Sequence, residues 1–223
     1  MGEKAVATLG DDVAGEDGVR VNKSGQSLGQ KGNRTRLRIL EATRLLIEAQ
    51  KGLAPAAAAV AREAGISSPT FYLYFADVGE AILDVVAAIS EAFEPVADLL
   101  ESPWPDDRLF DYSRRFVEVY LDYWYAHAAI LRVRNRLADE GDERFKTLRV
   151  AQGARLSEPL LKKLAPAQFD GQKVANRETL ASILITALER TATVEALALY
   201  QERASRTQTV DALALLIARF IKG

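Results

Sequence analysis

The sequence predicts an all-α protein in two unequal parts, a small N-terminal helical unit and a larger helical domain. Three observations predict it. After residue 33, apolar residues recur at intervals of three and four, the period of a helix packed on one face. No stretch alternates apolar and polar residues with the period of two that marks a strand. Glycines, prolines and capping residues fall where the periodic segments start and stop.

The elements follow in order. Leu37, Leu40, Arg44 and Ile47 are spaced by three or four, and Ile39, Leu45 and Leu46 widen the stripe. A first helix is therefore expected from about 34 to 50, ending at Gly52. Pro55 stands where a first helical turn tolerates proline, and Ala56 to Ala64 form a second helix closed by Gly65. Ser67 can cap a third helix with Pro69 in its first turn, running to about Tyr74. Asp77, with Glu80 three residues on, reads as a capping box. The helix it opens is expected to reach about Leu100, with Ile82, Val85, Val86, Ile89 and Phe93 inward. Pro103 and Pro105 then break the chain. Helical patterns follow near 107–127, 128–138, 142–164, 174–203 and 206–221, with Pro159 kinking or dividing the third. That makes about nine helices.

Composition narrows the class. A chain of 223 residues suits one or two domains, and 48% hydrophobic content suffices for a sizeable core. There is no cysteine, so no disulfide framework or thiolate chemistry, which fits a reducing cytoplasm. No run approaches the roughly 18 apolar residues of a membrane span. The opening MGEKAVATLGDDVAGEDGV has neither the charged start nor the apolar centre of a signal peptide. A cytoplasmic protein is expected. Residues 1–32, rich in Gly, Asp, Ser and charge, cannot bury enough surface to offset ordering and are expected to form a disordered arm.

Catalytic signatures are missing. GQSLGQKG lacks the spacing, the Lys-Ser/Thr pair and the preceding strand of a phosphate loop. No GxSxG elbow occurs. His127 is the only histidine, and no carboxylate cluster stands at metal-binding spacing beside it. Asp106-Asp107 and Glu140, Asp142 and Glu143 suit helix starts and loops, where capping and solvation explain them. No cofactor and no metal are expected, and the chain is not read as an enzyme.

Charge points elsewhere. The net charge is −2, yet from Arg20 to Lys51 there are eight basic residues and only two acids, Glu41 and Glu48. Directly beyond lies GISSPTFYLYF, with two tyrosines and two phenylalanines in eleven residues. The spacing explains it. Ala61 is followed four residues later by Gly65 and six further on by Phe71. A helix-turn-helix needs a small residue where its helices cross, a glycine where the turn requires positive φ, and a large apolar anchor on the second helix. Phe71 and Phe75 share a face as anchors. Tyr72 and Tyr74 point elsewhere, where a phenol can donate to a phosphate oxygen, or cover the core. Ser67, Ser68, Pro69 and Thr70 occupy the helix start, the part of a recognition helix that reaches base edges.

Residues 34–86 resemble the DNA-binding domain of the TetR family, the tetracycline-repressor-like regulators, in RLRILEATRLLIEAQKG and VAREAGISSPTFYLYFADVGEAILDVV. The resemblance implies residues 33–78 as the DNA-binding domain and 79–223 as a ligand-binding and dimerisation domain. It implies a homodimer on a palindromic double-stranded operator, released by a small apolar or amphipathic effector. Two positions depart from the family. A threonine that commonly opens the second helix is replaced within Ala54-Pro55-Ala56-Ala57, and a lysine that commonly follows the aromatic run is Val78. Arg34, Arg36 and Arg38 at the entrance of the first helix, and Arg20, Lys23 and Lys31 on the arm, could supply backbone and minor-groove contacts instead.

In the larger part, Phe116, Tyr120, Tyr123 and His127 form one stripe, and Val117, Leu121, Trp124 and Ala128 a second. Either this is an ordinary core helix or the wall of a cavity, since ligand sites combine aromatic lining with few polar groups. Where the resemblance holds, the expected effector contacts are Phe116, Tyr120, Tyr123, Trp124, His127, Gln152 and Glu189. Leu180, Leu184, Leu188, Thr191, Glu195 and Leu199, with Leu213, Leu216, Ile217 and Phe220, trace the two long sides expected at a subunit contact. The first expectation is a ligand-released repressor. The alternative is a helical small-molecule-binding module of the same fold with weak or lost DNA binding. An all-α enzyme is the remaining rival.

Overall fold

The computed structural model describes residues 29–169, 172–195 and 205–222. Residues 1–28, with Arg20 and Lys23 of the expected arm, and Leu199 of the expected subunit contact lie outside them. Helix α1 spans Gln30–Ala49, so it starts within the segment assigned to the arm. It ends where Lys51 and Gly52 adopt positive φ and the Gly52 amide donates to the Ile47 carbonyl at 2.8 Å. A Cβ at Gly52 would stand 2.8 Å from the Arg132 Cβ, so glycine also permits the close approach of the larger domain there.

Helices α2 (Ala57–Glu63) and α3 (Ser68–Tyr74) follow, then α4 (Val78–Ala88). The long fourth helix expected from Asp77 is divided. A 3₁₀ turn at Glu91–Phe93 separates α4 from α5 (Glu94–Glu101). Pro95 explains it: without an N–H and with its ring against a preceding carbonyl, it starts a helix better than it continues one. After a 3₁₀ turn at Asp106–Arg108 come α6 (Leu109–Ala126), α7 (Ala128–Asp139) and α8 (Glu143–Lys163). Helix α8 runs through Pro159 as one element, with the proline buried. Two long helices close the described chain, α9 (Arg177–Glu195) and α10 (Arg206–Lys222).

The expectation that no strand exists is corrected. Strands β1 (Ala167–Phe169) and β2 (Gln172–Ala175) pair antiparallel, with Phe169 opposite Gln172. They are too short for period-two patterning to emerge, but Asp170-Gly171 between them is a strong two-residue hairpin signal. The all-α architecture otherwise stands.

Two apolar cores organise the helices. The smaller holds Ile39, Ala42, Val60, Ala61, Ala64, Phe71, Phe75 and Ala81. The larger runs through α4 to α10 and takes in Ile47 of α1 and Ile82, Val85 and Val86 of α4. Helices α1 and α4 therefore feed both cores, and Leu40 and Val78 pack against each.

Candidate functional site

The α2–α3 unit is held by three local devices. Ala61 is buried at the crossing, Gly65 takes φ +64°, and the Ile66 amide donates to the Ala61 carbonyl at 2.9 Å. Ser67 caps α3 by accepting from the Thr70 amide at 3.2 Å, and the two hydroxyls lie 2.8 Å apart. Phe71 and Phe75 are buried with ring centroids 5.8 Å apart, and each buried phenylalanine contributes roughly 1.5–3 kcal/mol. With the anchors turned inward, Tyr72 is left 48% exposed and Leu73 62% exposed. Pro69 is exposed, Ser68 and Thr70 are half-buried, and Tyr74 leans on the small core. Leu73 went unassigned in the sequence, although it lies one position from Tyr72 on the face opposite the anchors.

The basic residues divide. Arg34 and Arg38 are exposed. Arg36 is occupied within the protein: it pairs with Asp84 of α4 and its guanidinium lies 5.2 Å from the centre of the Phe75 ring. Its expected place in the DNA-facing set is corrected to a strap between α1 and α4. Val78, where family members commonly carry lysine, is half-buried between the two cores. At the start of α2, Ala56 supplies no side-chain cap.

A second contact joins the unit to the larger domain. Asp77 caps α4, accepting from the Glu80 amide at 2.8 Å, and also pairs with Arg144 of α8 at 3.0 Å. Arg144 holds Asp142 at 2.7 Å as well. A Cβ on Gly79 would lie 2.5 Å from Arg144 Nη2, so the bare glycine lets the arginine cross the start of α4.

The larger domain holds a cavity of about 30 Å³ between the α4–α5 turn and helices α6, α7, α8 and α9. Tyr120, Tyr123, Trp124, Gln152 and Glu189 line it together with Phe93, Leu131 and Leu156. Phe93 and Tyr123 meet edge to face at 5.1 Å. The space holds about one or two waters, so a larger guest has to part the helices. Arg134 of α7 forms its polar floor and is only 5% exposed. It donates to Gln152 Oε1, and its Nε and Nη2 donate to Asn135 Oδ1 at 3.0 and 2.7 Å. The Glu189 carboxylate stands 3.6 Å away, beyond a hydrogen bond. Burial pulls the Arg134 pKa down, opposed by Glu189. Burial pushes the Tyr120 and Tyr123 hydroxyls up.

A family profile described as the tetracyclin repressor-like C-terminal domain matches residues 99–219, more than half of the chain. The chain belongs to the TetR family. Two solved structures resemble it along nearly their whole length. One is a TetR-like transcriptional regulator from Rhodococcus sp. RHA1, 18% identical with a TM-score of 0.58, covering 88% of this chain and 99% of that one. The other, assigned to the TetR-family regulators of Mesorhizobium loti MAFF303099, is 18% identical with a TM-score of 0.56, covering 87% and 98%. At that identity the likeness speaks for the fold alone. No curated protein sequence matches.

Within this TetR fold, two expected cavity residues lie elsewhere. Phe116 is buried 6.1 Å from the Trp104 ring and 6.2 Å from Tyr120, a core residue one layer behind the cavity. His127 packs against Tyr123 with ring centres 5.2 Å apart and planes tilted by 57°, but faces a separate hollow of about 280 Å³ between the end of α1 and the α6–α7 turn. Glu48, Lys51 and Arg132 share that hollow. Burial lowers the His127 pKa, and Glu48 opposes the shift.

Arg134 was missed, although the sequence carries its signal. In Ile130, Leu131, Val133, Arg134 and Ala138 a charge occupies a position where helical period asks for an apolar residue. The expected subunit stripes are corrected in part. Leu180, Leu184, Leu188, Leu213 and Ile217 are buried within the chain, whereas Leu216 of the expected set is exposed, as are Ile183 and Leu215 outside that set. Among the described residues, no group of three or more His, Cys, Asp or Glu could hold a metal, and no helix is long and apolar enough to cross a membrane.

Proposed function

We propose that the protein is a ligand-released transcriptional repressor, not an enzyme, that binds a palindromic operator as a homodimer in the cytoplasm. The observation that carries the reading is the outer face of α3. A seven-residue helix pinned by two buried phenylalanines presents Ser68, Pro69, Tyr72 and Leu73 outward. Such a face suits a major groove, with Tyr72 donating to a phosphate and Arg34, Arg38 and Lys31 adding charge beside it. Residues 33–78 are taken as the DNA-binding unit and 79–223 as the effector and dimer domain. Ile183, Leu215 and Leu216 on the two C-terminal long helices supply an apolar surface for a second copy. The effector is a small amphipathic molecule held in the aromatic cavity, which favours a state whose recognition helices are wrongly spaced.

A second reading, a small-molecule-binding module with weak DNA affinity, is favoured by the uncapped start of α2 and by Val78 lying against the cores. Fluorescence anisotropy with the gene's upstream DNA at two salt concentrations separates the two. The repressor reading expects tight, salt-sensitive binding, weakened by Tyr72→Phe and by deletion of residues 1–33. Arg34→Ala should lower the salt slope by roughly 0.9, whereas Arg36→Met leaves it unchanged. Absence of binding to every upstream fragment selects the second reading.

A further inference from the structure

We propose that the cavity recognises an amphipathic anion, a small aryl or acyl acid, and that Arg134 receives its carboxylate while Glu189 gives way. The proposal rests on the effector reading above and names the chemical class of that effector.

The argument starts from the inventory of charges. Arg134 is a guanidinium taken almost wholly out of water. A buried cation needs a counter-charge with good geometry, because desolvation otherwise outweighs what neutral hydrogen bonds return. Its close partners are both neutral amides, Gln152 and Asn135. The carboxylate on the far wall, Glu189, remains half-exposed and out of hydrogen-bond reach. Two further arginines reach the cavity rim, but each has a carboxylate of its own. Arg155 holds Glu94 at 2.6 Å and Arg149 holds Asp139 at 2.6 Å. Of the three, Arg134 is the one with no carboxylate within hydrogen-bond distance, since its ion pair with Glu189 is as long as 3.6 Å. It therefore has guanidinium edge to offer an incoming carboxylate, which makes shorter and stronger bonds than an amide does.

The wall chemistry sets the rest of the guest. Phe93, Tyr123 and Trp124 offer ring faces and edges above this floor, suited to a flat or slim apolar body. A cationic guest would instead need Glu189, and would leave Arg134 buried with less counter-charge than it has now. That competition is what decides the sign.

The test is calorimetric titration of the full-length protein with 1-naphthoate, 1-naphthamide and 1-naphthylmethylammonium, which share one ring body and differ in charge. Naphthoate should bind roughly tenfold or more tightly than the amide, and the ammonium weakest. Arg134→Gln should erase the preference for the acid while keeping amide binding. Because a variant at so buried a site can misfold, Glu189→Gln provides an independent readout with opposite signs. It should tighten naphthoate by freeing Arg134 and weaken any binding of the ammonium. The proposal is overturned by equal binding of acid and amide, by preference for the ammonium, by weaker naphthoate binding in Glu189→Gln, or by no heat from any of the three. The anisotropy titration is scored separately, so operator binding by a protein that ignores acids leaves the regulator reading standing and removes only this one.

Discussion

The α2–α3 unit and the aromatic cavity are built in opposite ways. The unit is local: a turn glycine, a serine cap and two phenylalanines fall within 15 residues, from Ala61 to Phe75. The cavity is assembled from distant positions, Ser90 to Glu189, carried by helices meeting only in the folded protein. Local construction gives a rigid surface whose rules can be checked by spacing. Dispersed construction gives a space whose size depends on helix packing, and so one that a guest can alter. The two meet through α4 and its neighbours.

The largest expected effect breaks the local unit alone. Phe71→Ala should cost about 3–5 kcal/mol. Hydrogen exchange should then rise in amides of α1 to α3 more than in α6 to α8. Uniform loss of protection throughout would mean that the two regions do not differ in local stability.

Next comes the shared boundary. Val78→Lys places an ammonium against two cores and should destabilise by about 1 kcal/mol, read as a lower denaturation midpoint at unchanged slope. An unchanged midpoint would contradict the packing role assigned to Val78. Gly79→Ala should cost somewhat less, because the intruding atom belongs to the end of a flexible arginine. Its effect should shrink in an Arg144→Ala background, where only the contact with Asp77 Oδ1 at 3.0 Å remains, a non-additivity that a double-mutant cycle measures. Additive losses would disconnect Gly79 from the Arg144 bridge.

The smallest effect tests the hollow near His127. Its pKa is lowered by burial in the folded state, so the unfolded chain takes up the proton first. The stability contributed by neutral His127 is present above the ordinary value of 6.5 and declines as pH falls toward the depressed one. His127→Gln should flatten that slope in denaturation midpoints measured across this range. An identical slope in both proteins would remove His127 from the account.

What the sequence disclosed follows the same division. Caps at Ser67 and Asp77, the Gly65 turn and the anchors Phe71 and Phe75 were legible because each depends on residues three to six positions apart. In α6, Tyr120, Tyr123 and Trp124 were legible as a buried face, but period alone could not distinguish core from cavity. Phe116 therefore fell on the wrong side of that line. Arg134 could have been found as a charge on an apolar stripe, whereas its company of Gln152 and Glu189 comes only from the fold. Pro95 was a plain local signal, overridden by the stronger helical period around it, whereas Asp170-Gly171 fell in the gap between two expected helices, flanked by segments too short to show a period of two.

The packing of Leu40 and Val78 against both cores limits how this protein can be recombined. A chimera joined at residue 78 would separate α1 from the helix packed on it, and would strand Ala81 and Arg36 without their partners. Grafting α1 to α3 onto another helical domain requires carrying α4 as well and placing the seam after Ala88, at the 3₁₀ turn before Pro95. The interchangeable part of the molecule is thus longer than its first three helices.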